Sequence, residues 1–213
     1  MLDFARCLGL ASALRYALWR ARGRAEPVVL STRTGARFEL RAGSTGPGAN
    51  TDYGVAYEVF ALDLYRPAAR LEPGAVRFVV DVGANVGFSV IHWLMRFPGA
   101  EVLAFEPHPA HAAQARRNLA LNAGGGRATL VEAGAGASAR TLLLSDQGSS
   151  SRVLGEGEGE GLSVRLVDLF PMLGGRRVDL LKLDCEGGEY ELLADDRFAE
   201  LDVRAIVMEW HQR

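Results

Sequence analysis

The stretch that most constrains this chain lies between residues 77 and 97. Arg77 to Val82 is a short, β-branched, apolar run that carries an acid, Asp81, near its end and breaks at once into Gly83-Ala84-Asn85-Val86-Gly87. An apolar run without alternation suits a strand buried on both faces of a parallel sheet. Beyond the turn, Phe88, Ile91, Leu94 and Met95 recur on one side of a helix predicted over Gly87–Phe97, with His92 opposite them and facing solvent. Strand, glycine turn and helix in immediate succession form the opening half of a βαβ unit.

The pattern repeats. Glu101–Phe105 reads as a second strand, Pro109–Leu121 as a helix with proline at its start, and Arg127–Glu132 as a third strand. Leu180–Leu183, Glu189–Ala194 and Ala205–Trp210 resume as strand, helix and strand. Repeated βαβ units predict an α/β fold with a doubly wound, mostly parallel sheet. Between them, Thr141–Leu144 reads as an extra strand and Ser145–Ser151 as a polar turn. Gly155–Gly161 is an acidic glycine loop to which no chemistry is assigned. Leu162–Val167 is extended and leads into a short helix near Asp168–Leu173.

Ahead of this core, residues 1–70 read as an accessory segment, and residues 71–213 as the cofactor-binding unit. Leu8, Leu10, Leu14, Leu18 and Trp19 recur at helical spacing. Val28–Leu30 and Arg37–Leu40 flank Thr34-Gly35 as a hairpin, Gly43–Asn50 is a loop, and Tyr53–Tyr65 is a helix with Val55, Val59, Leu62 and Tyr65 inward. Residues 1–41 hold eight arginines against Asp3, Glu26 and Glu39, a balance of +5. Such a helix could rest on a membrane surface or an acidic partner, but the preferred reading is a helix packed on the domain. The whole chain, at 213 residues and a net charge of −2, gives no global reason to expect a nucleic-acid partner. Two cysteines, Cys7 and Cys185, suggest no disulfide scaffold, so a reducing cytoplasm is the default expectation. Among the 24 basic residues there is a single lysine, Lys182, present either for its ammonium group or by chance.

Three motifs carry chemistry. The Asp81–Gly87 turn lacks the three-glycine pattern that cradles a dinucleotide pyrophosphate, and its acid suits the cationic methionine end of S-adenosylmethionine. Asp81, Gly83, Ala84, Asn85, Gly87 and Phe88 are therefore the expected cofactor cradle. Glu106, followed by Pro107 at the end of the second strand, sits where a carboxylate can accept both ribose hydroxyls. The third motif, Lys182-Leu183-Asp184-Cys185-Glu186-Gly187, puts a lysine on a buried strand, which is costly unless its charge is paired. It also turns Asp184 and Glu186 toward the crevice at the strand ends.

Together these motifs, with Leu166-Val167-Asp168 and Glu209-Trp210-His211, resemble the FkbM family of methyltransferases over roughly residues 52–211. The family commonly has Leu-Asp where this chain has Val167-Asp168. The resemblance implies a class I methyltransferase fold and methyl transfer from S-adenosylmethionine, most typically to a hydroxyl of a small molecule, secondary metabolite or saccharide. Folds of this type usually continue with a further helix and a closing β-hairpin, whereas this sequence stops three residues after Trp210, as a short natural variant or a truncated chain would.

For a hydroxyl acceptor, a carboxylate or imidazole should remove the proton. Asp184 is the first candidate base, with Glu209 and His211 behind it. Glu186 would orient the acceptor, and Lys182 would pair with Asp184 or neutralise a developing alkoxide, unless the pair is purely structural. His108 lies within reach of the adenosine. Cys185, among acids, fills space, and no metal is expected. The competing readings are a cofactor-binding protein without turnover, a nicotinamide-dependent oxidoreductase, which the glycine spacing disfavours, and an RNA ribose methyltransferase, against which the single lysine speaks.

Overall fold

A computed structural model of the chain describes residues 2–42, 52–144 and 161–210. The expected loop at Gly43–Asn50, the polar turn at Ser145–Ser151, nearly all of the acidic loop at Gly155–Gly161, and His211 lie outside the described residues. Five strands form the central sheet: β3 (Phe78–Val82), β4 (Glu101–Phe105), β5 (Ala128–Val131), β9 (Leu180–Leu183) and β10 (Ile206–Met208). Their order is β10-β9-β3-β4-β5, and every pairing is parallel. The chain runs outward through β3, β4 and β5, then returns to the other side of β3. The strand order therefore reverses between β3 and β9, the position where open α/β sheets bind ligands.

Alternation along the strands builds two cores. Val79, Val102, Ala104 and Leu180 face one side, while Val80, Val82, Leu103, Phe105, Leu181 and Leu183 face the other. The first side is covered by α4 (Phe88–Arg96), α5 (Pro109–Ala120) and the N-terminal elements; the second by α6 (Leu169–Leu173), α7 (Glu189–Ala194) and Phe198 of α8 (Asp196–Ala199). A separate three-stranded sheet, ordered β6-β8-β7, combines β6 (Gly134–Gly136), β7 (Arg140–Leu144) and β8 (Leu162–Asp168). The sequence reading anticipates β7 and β8 but not β6 or α8, because elements of three and four residues carry no periodicity.

The N-terminal elements are α1 (Leu2–Cys7), α2 (Leu10–Ala21), the β1 (Val28–Ser31)/β2 (Arg37–Leu40) hairpin and α3 (Asp52–Phe60). Phe38 of the hairpin packs its ring on Phe60 at 4.9 Å and on Phe88 of α4 at 5.2 Å, joining this segment to the sheet's first core. Buried Asp52 anchors the start of α3 by accepting hydrogen bonds from the Arg41 backbone and guanidinium.

Several expectations are corrected. The leucine side of α2 faces outward, with Leu10 91% exposed, because Ser12, Tyr16 and Trp19 face the protein instead. Leu62 is also exposed: α3 ends at Phe60, well before Tyr65, and Asp63 adopts φ 52°. Met95 turns outward from α4. His92 is half-buried rather than fully solvent-facing; its ring packs on Tyr65 and Trp93, and burial pulls its pKa down. Among the described residues, no helix is long and apolar enough to cross a membrane.

Candidate active site

Parallel pairing places Asp81 of β3 directly opposite Lys182 of β9, both on the face covered by α4. Asp81 is fully buried: its Oδ2 accepts the Trp93 indole N–H at 2.8 Å, and its Oδ1 lies 3.3 Å from Lys182 Nζ without hydrogen-bonding geometry. Lys182 Nζ donates to the Gly83 carbonyl at 2.5 Å and lies 3.2 Å from Asp184 Oδ2. Burial alone would lower the lysine's pKa, but Asp81, Tyr65 and Asp184 outweigh it and hold the ammonium well above the ordinary lysine range. The lone lysine is thus the hub joining the ends of β3 and β9.

This geometry revises the expected cradle. Asp81 does not line the cavity; it sits beneath the turn and fixes Trp93 and Lys182. A Cβ on Gly83, at φ +84°, would stand 1.7 Å from the Asp184 carbonyl oxygen, so glycine is required here by the approach of two protein turns. Gly87 packs on Ala115 of α5, and Phe88 is buried against Phe38 and Phe60, so neither borders the cavity. Their motif shapes the turn from behind.

Gly83, Ala84, Asn85, Glu106 and Pro107 do border a cavity of about 570 Å³. Glu106 is 6% exposed; its Oε2 accepts the Asn85 N–H at 2.8 Å and its Oε1 the His108 N–H at 2.9 Å. The carboxylate therefore locks the two strand-end loops and keeps lone pairs for a ligand. Two buried polar atoms of the wall, Asn85 Oδ1 and Ser89 Oγ, have no partner among the described residues. His108 and His111 stack at 4.3 Å along the same wall.

At the other end the cavity meets Lys182, Asp184, Glu186 and Glu209, four of the five expected catalytic residues. Glu186 adopts φ 53° in a turn tied by Glu189, which is fully buried and accepts the N–H groups of Cys185 and Gly187 at 2.7 and 2.8 Å. Burial, reinforced by Glu189, pushes the Cys185 thiol well up, which keeps it protonated. Among the described residues, no three His, Cys, Asp or Glu side chains gather as metal ligands.

The sequence reading missed part of the site. Glu58 of α3 lines the cavity, and burial, with the carboxylates of Glu209 and Asp184 adding to it, pushes its carboxyl above the usual glutamate range. Its signal was an acid alone in the apolar run Val55–Val59. Gly134 and Gly136, and the ion pair of Arg140 with Glu191, close another wall. That pair joins positions 51 apart, and nothing local in the sequence marks it.

A family model described as the methyltransferase FkbM domain matches residues 81–213. This chain belongs to the FkbM methyltransferase family. It is 32% identical to the methyltransferase sdnD of Sordaria araneosa, over 62% of this chain and 66% of that one, just under two thirds of its length. It is 31% identical to the 31-O-demethyl-FK506 methyltransferase FkbM of Streptomyces tacrolimicus, over 72% of each. A crystal structure of methyltransferase FkbM from Methylobacillus flagellatus KT superposes with a TM-score of 0.44 at 18% identity, covering 61% of this chain and 31% of that one. The match to the FkbM family model begins at Asp81, so Glu58 and Tyr65 line the cavity from outside the matched span.

Proposed function

We propose that this FkbM-family chain binds S-adenosylmethionine and methylates a hydroxyl of a small molecule, secondary metabolite or saccharide. The observation that carries the reading is the pair of unpartnered buried atoms, Asn85 Oδ1 and Ser89 Oγ, in a cavity wall shared with Glu106. Buried polar groups are seldom left unpaired, so such atoms mark where a polar ligand completes the site. A volume of about 570 Å³ suits a cofactor with a modest acceptor. The name of the Streptomyces relative supports transfer to oxygen.

In this reading Glu106 holds the ribose hydroxyls, while Gly83, Ala84, Asn85 and Pro107 frame the rest of the cofactor. When bound, S-adenosylmethionine supplies an electrophilic methyl on a sulfonium that is itself a good leaving group. The protein's part is to align the acceptor, exclude water and take up a proton. The Lys182 ammonium stands 3.2 Å from Asp184 Oδ2 and fixes that carboxylate at the cavity wall, which makes Asp184 suited to orienting the acceptor. Glu58 has the raised pKa of a better proton acceptor, and Glu186 and Glu209 complete the acidic end.

The test is calorimetry with S-adenosylmethionine and its demethylated product, beside a methyl-transfer screen on hydroxylated acceptors. Glu106→Gln should weaken cofactor binding by about tenfold or more, the loss of one charge-assisted contact. Unchanged affinity in the folded variant would remove Glu106 from the cofactor site. Tight binding with no turnover across the screen would instead favour a binding protein.

A further inference from the structure

The outward face of α2 is apolar and framed by arginine. Leu10, Leu14 and Leu18 are 91%, 63% and 48% exposed, and Ala11, Ala17 and Ala21 are exposed beside them. At about 100° per residue these six positions form one continuous stripe. Its outward orientation is fixed by the opposite face. Ser12 Oγ accepts the Ser31 N–H at 2.8 Å, the Trp19 indole donates to the Glu26 carbonyl at 2.6 Å, and Tyr16 packs its ring on Phe4 and Tyr53. Exposed Arg15 and Arg22 run along one edge of the stripe, and Arg20 lies along the other. The helix contains no acid, and residues 2–25 carry five arginines against Asp3 alone.

We infer that this face of α2 docks on an anionic lipid bilayer, with the leucines entering the acyl boundary and the arginines meeting lipid phosphates. The charge complementarity selects the occupant. A nucleic acid would use the arginines but leave three leucines in water, and a neutral apolar groove would offer the exposed Arg15 and Arg22 no anion. A bilayer bearing anionic headgroups satisfies both chemistries in one plane. Neither signal alone anchors a protein firmly, so binding is reversible and needs both. The inference is independent of the methyl-transfer reading, since no α2 residue borders the cavity.

Vesicle co-sedimentation of the full chain tests it. Phosphatidylcholine vesicles containing phosphatidylglycerol should bind the protein at least about tenfold more strongly than phosphatidylcholine alone, and added salt should weaken that binding. The double variant Leu14→Glu, Leu18→Glu should lose it by a similar factor, and Arg15→Gln with Arg22→Gln should remove the lipid preference. These side chains are exposed, so the thermal midpoint of each variant should stay near that of the parent. No binding to either vesicle, equal binding to both, or undiminished binding by the leucine variant would overturn the inference. So would a dimer in sedimentation that the leucine variant dissociates while vesicles bind nothing, which would assign the face to a second copy.

Discussion

At the scale of single residues, the site is governed by buried charge. Lys182 and Asp81 are 2% and 0% exposed, and removing one member of such a pair leaves the other without compensation. Asp81→Asn should therefore cost about 3–5 kcal/mol in urea denaturation, and a loss below about 1 kcal/mol would show that Gly83 and Asp184 satisfy the lysine unaided. Glu58 works in the opposite sense. Its pKa is raised on folding, so burying its charge opposes folding at pH values above the folded pKa. That penalty shrinks as pH falls through the folded pKa and is gone below the unfolded value of about 4.3. Glu58→Gln should raise the thermal midpoint at neutral pH, leave it nearly unchanged in acid, and lower methyl transfer. An unchanged neutral midpoint, or full turnover without a shift in its acid limb, would dismiss Glu58 as the base. The Asp-x-Gly-x-Asn-x-Gly signature was legible in sequence, but its division of labour was not. Asp81 sits beneath the turn because strand register, invisible in the sequence, sets it opposite Lys182.

At the scale of elements, the two glycines of the β3–α4 turn look equivalent in sequence and differ in space. A Cβ on Gly83 would overlap the Asp184 carbonyl at 1.7 Å, whereas one on Gly87 would meet Ala115 at 3.1 Å. Both have positive φ, so both substitutions carry backbone strain. Gly83→Ala should be far more damaging, abolishing cofactor binding or folding, while Gly87→Ala should yield a folded protein with a lowered midpoint. The reverse order in thermal scans would show that the turns of β3 and β9 can separate. The α4 helix was legible from apolar residues at helical spacing, α5 from its proline start, and the core strands as short unbroken apolar runs. The β6 strand was not, since Gly134-Ala135-Gly136 shows no alternation and is defined by its pairing with β8.

At the scale of the molecule, the sequence reading divides the chain near residue 70, and we propose that the two parts nevertheless unfold together. Phe38 is fully buried and touches both Phe60 and Phe88, so its side chain belongs to the accessory segment and to the sheet's core at once. Phe38→Ala should cost about 3–5 kcal/mol and lower a single transition seen alike by near-UV dichroism and by loss of cofactor binding. Two separated transitions would make residues 1–70 an independent unit. The accessory segment also reaches the cavity, through Glu58 and Tyr65, so its loss should alter the end near Lys182 and Asp184 before the end near Glu106.

The sequence by itself determined the α/β class, the parallel strands and the places where strands end in acids, because local apolar periodicity and glycine turns encode these within windows of about ten to twenty residues. Its three motifs also carried the resemblance to the FkbM family. The tertiary structure alone decided which charges face the cavity and which are buried beneath it. It brought Glu58 from α3 beside Asp184 and Glu209, and it turned the leucines of α2 outward. These are outcomes of register and of contacts between positions far apart in the chain, where the energy of burying each side chain depends on partners that no local window contains.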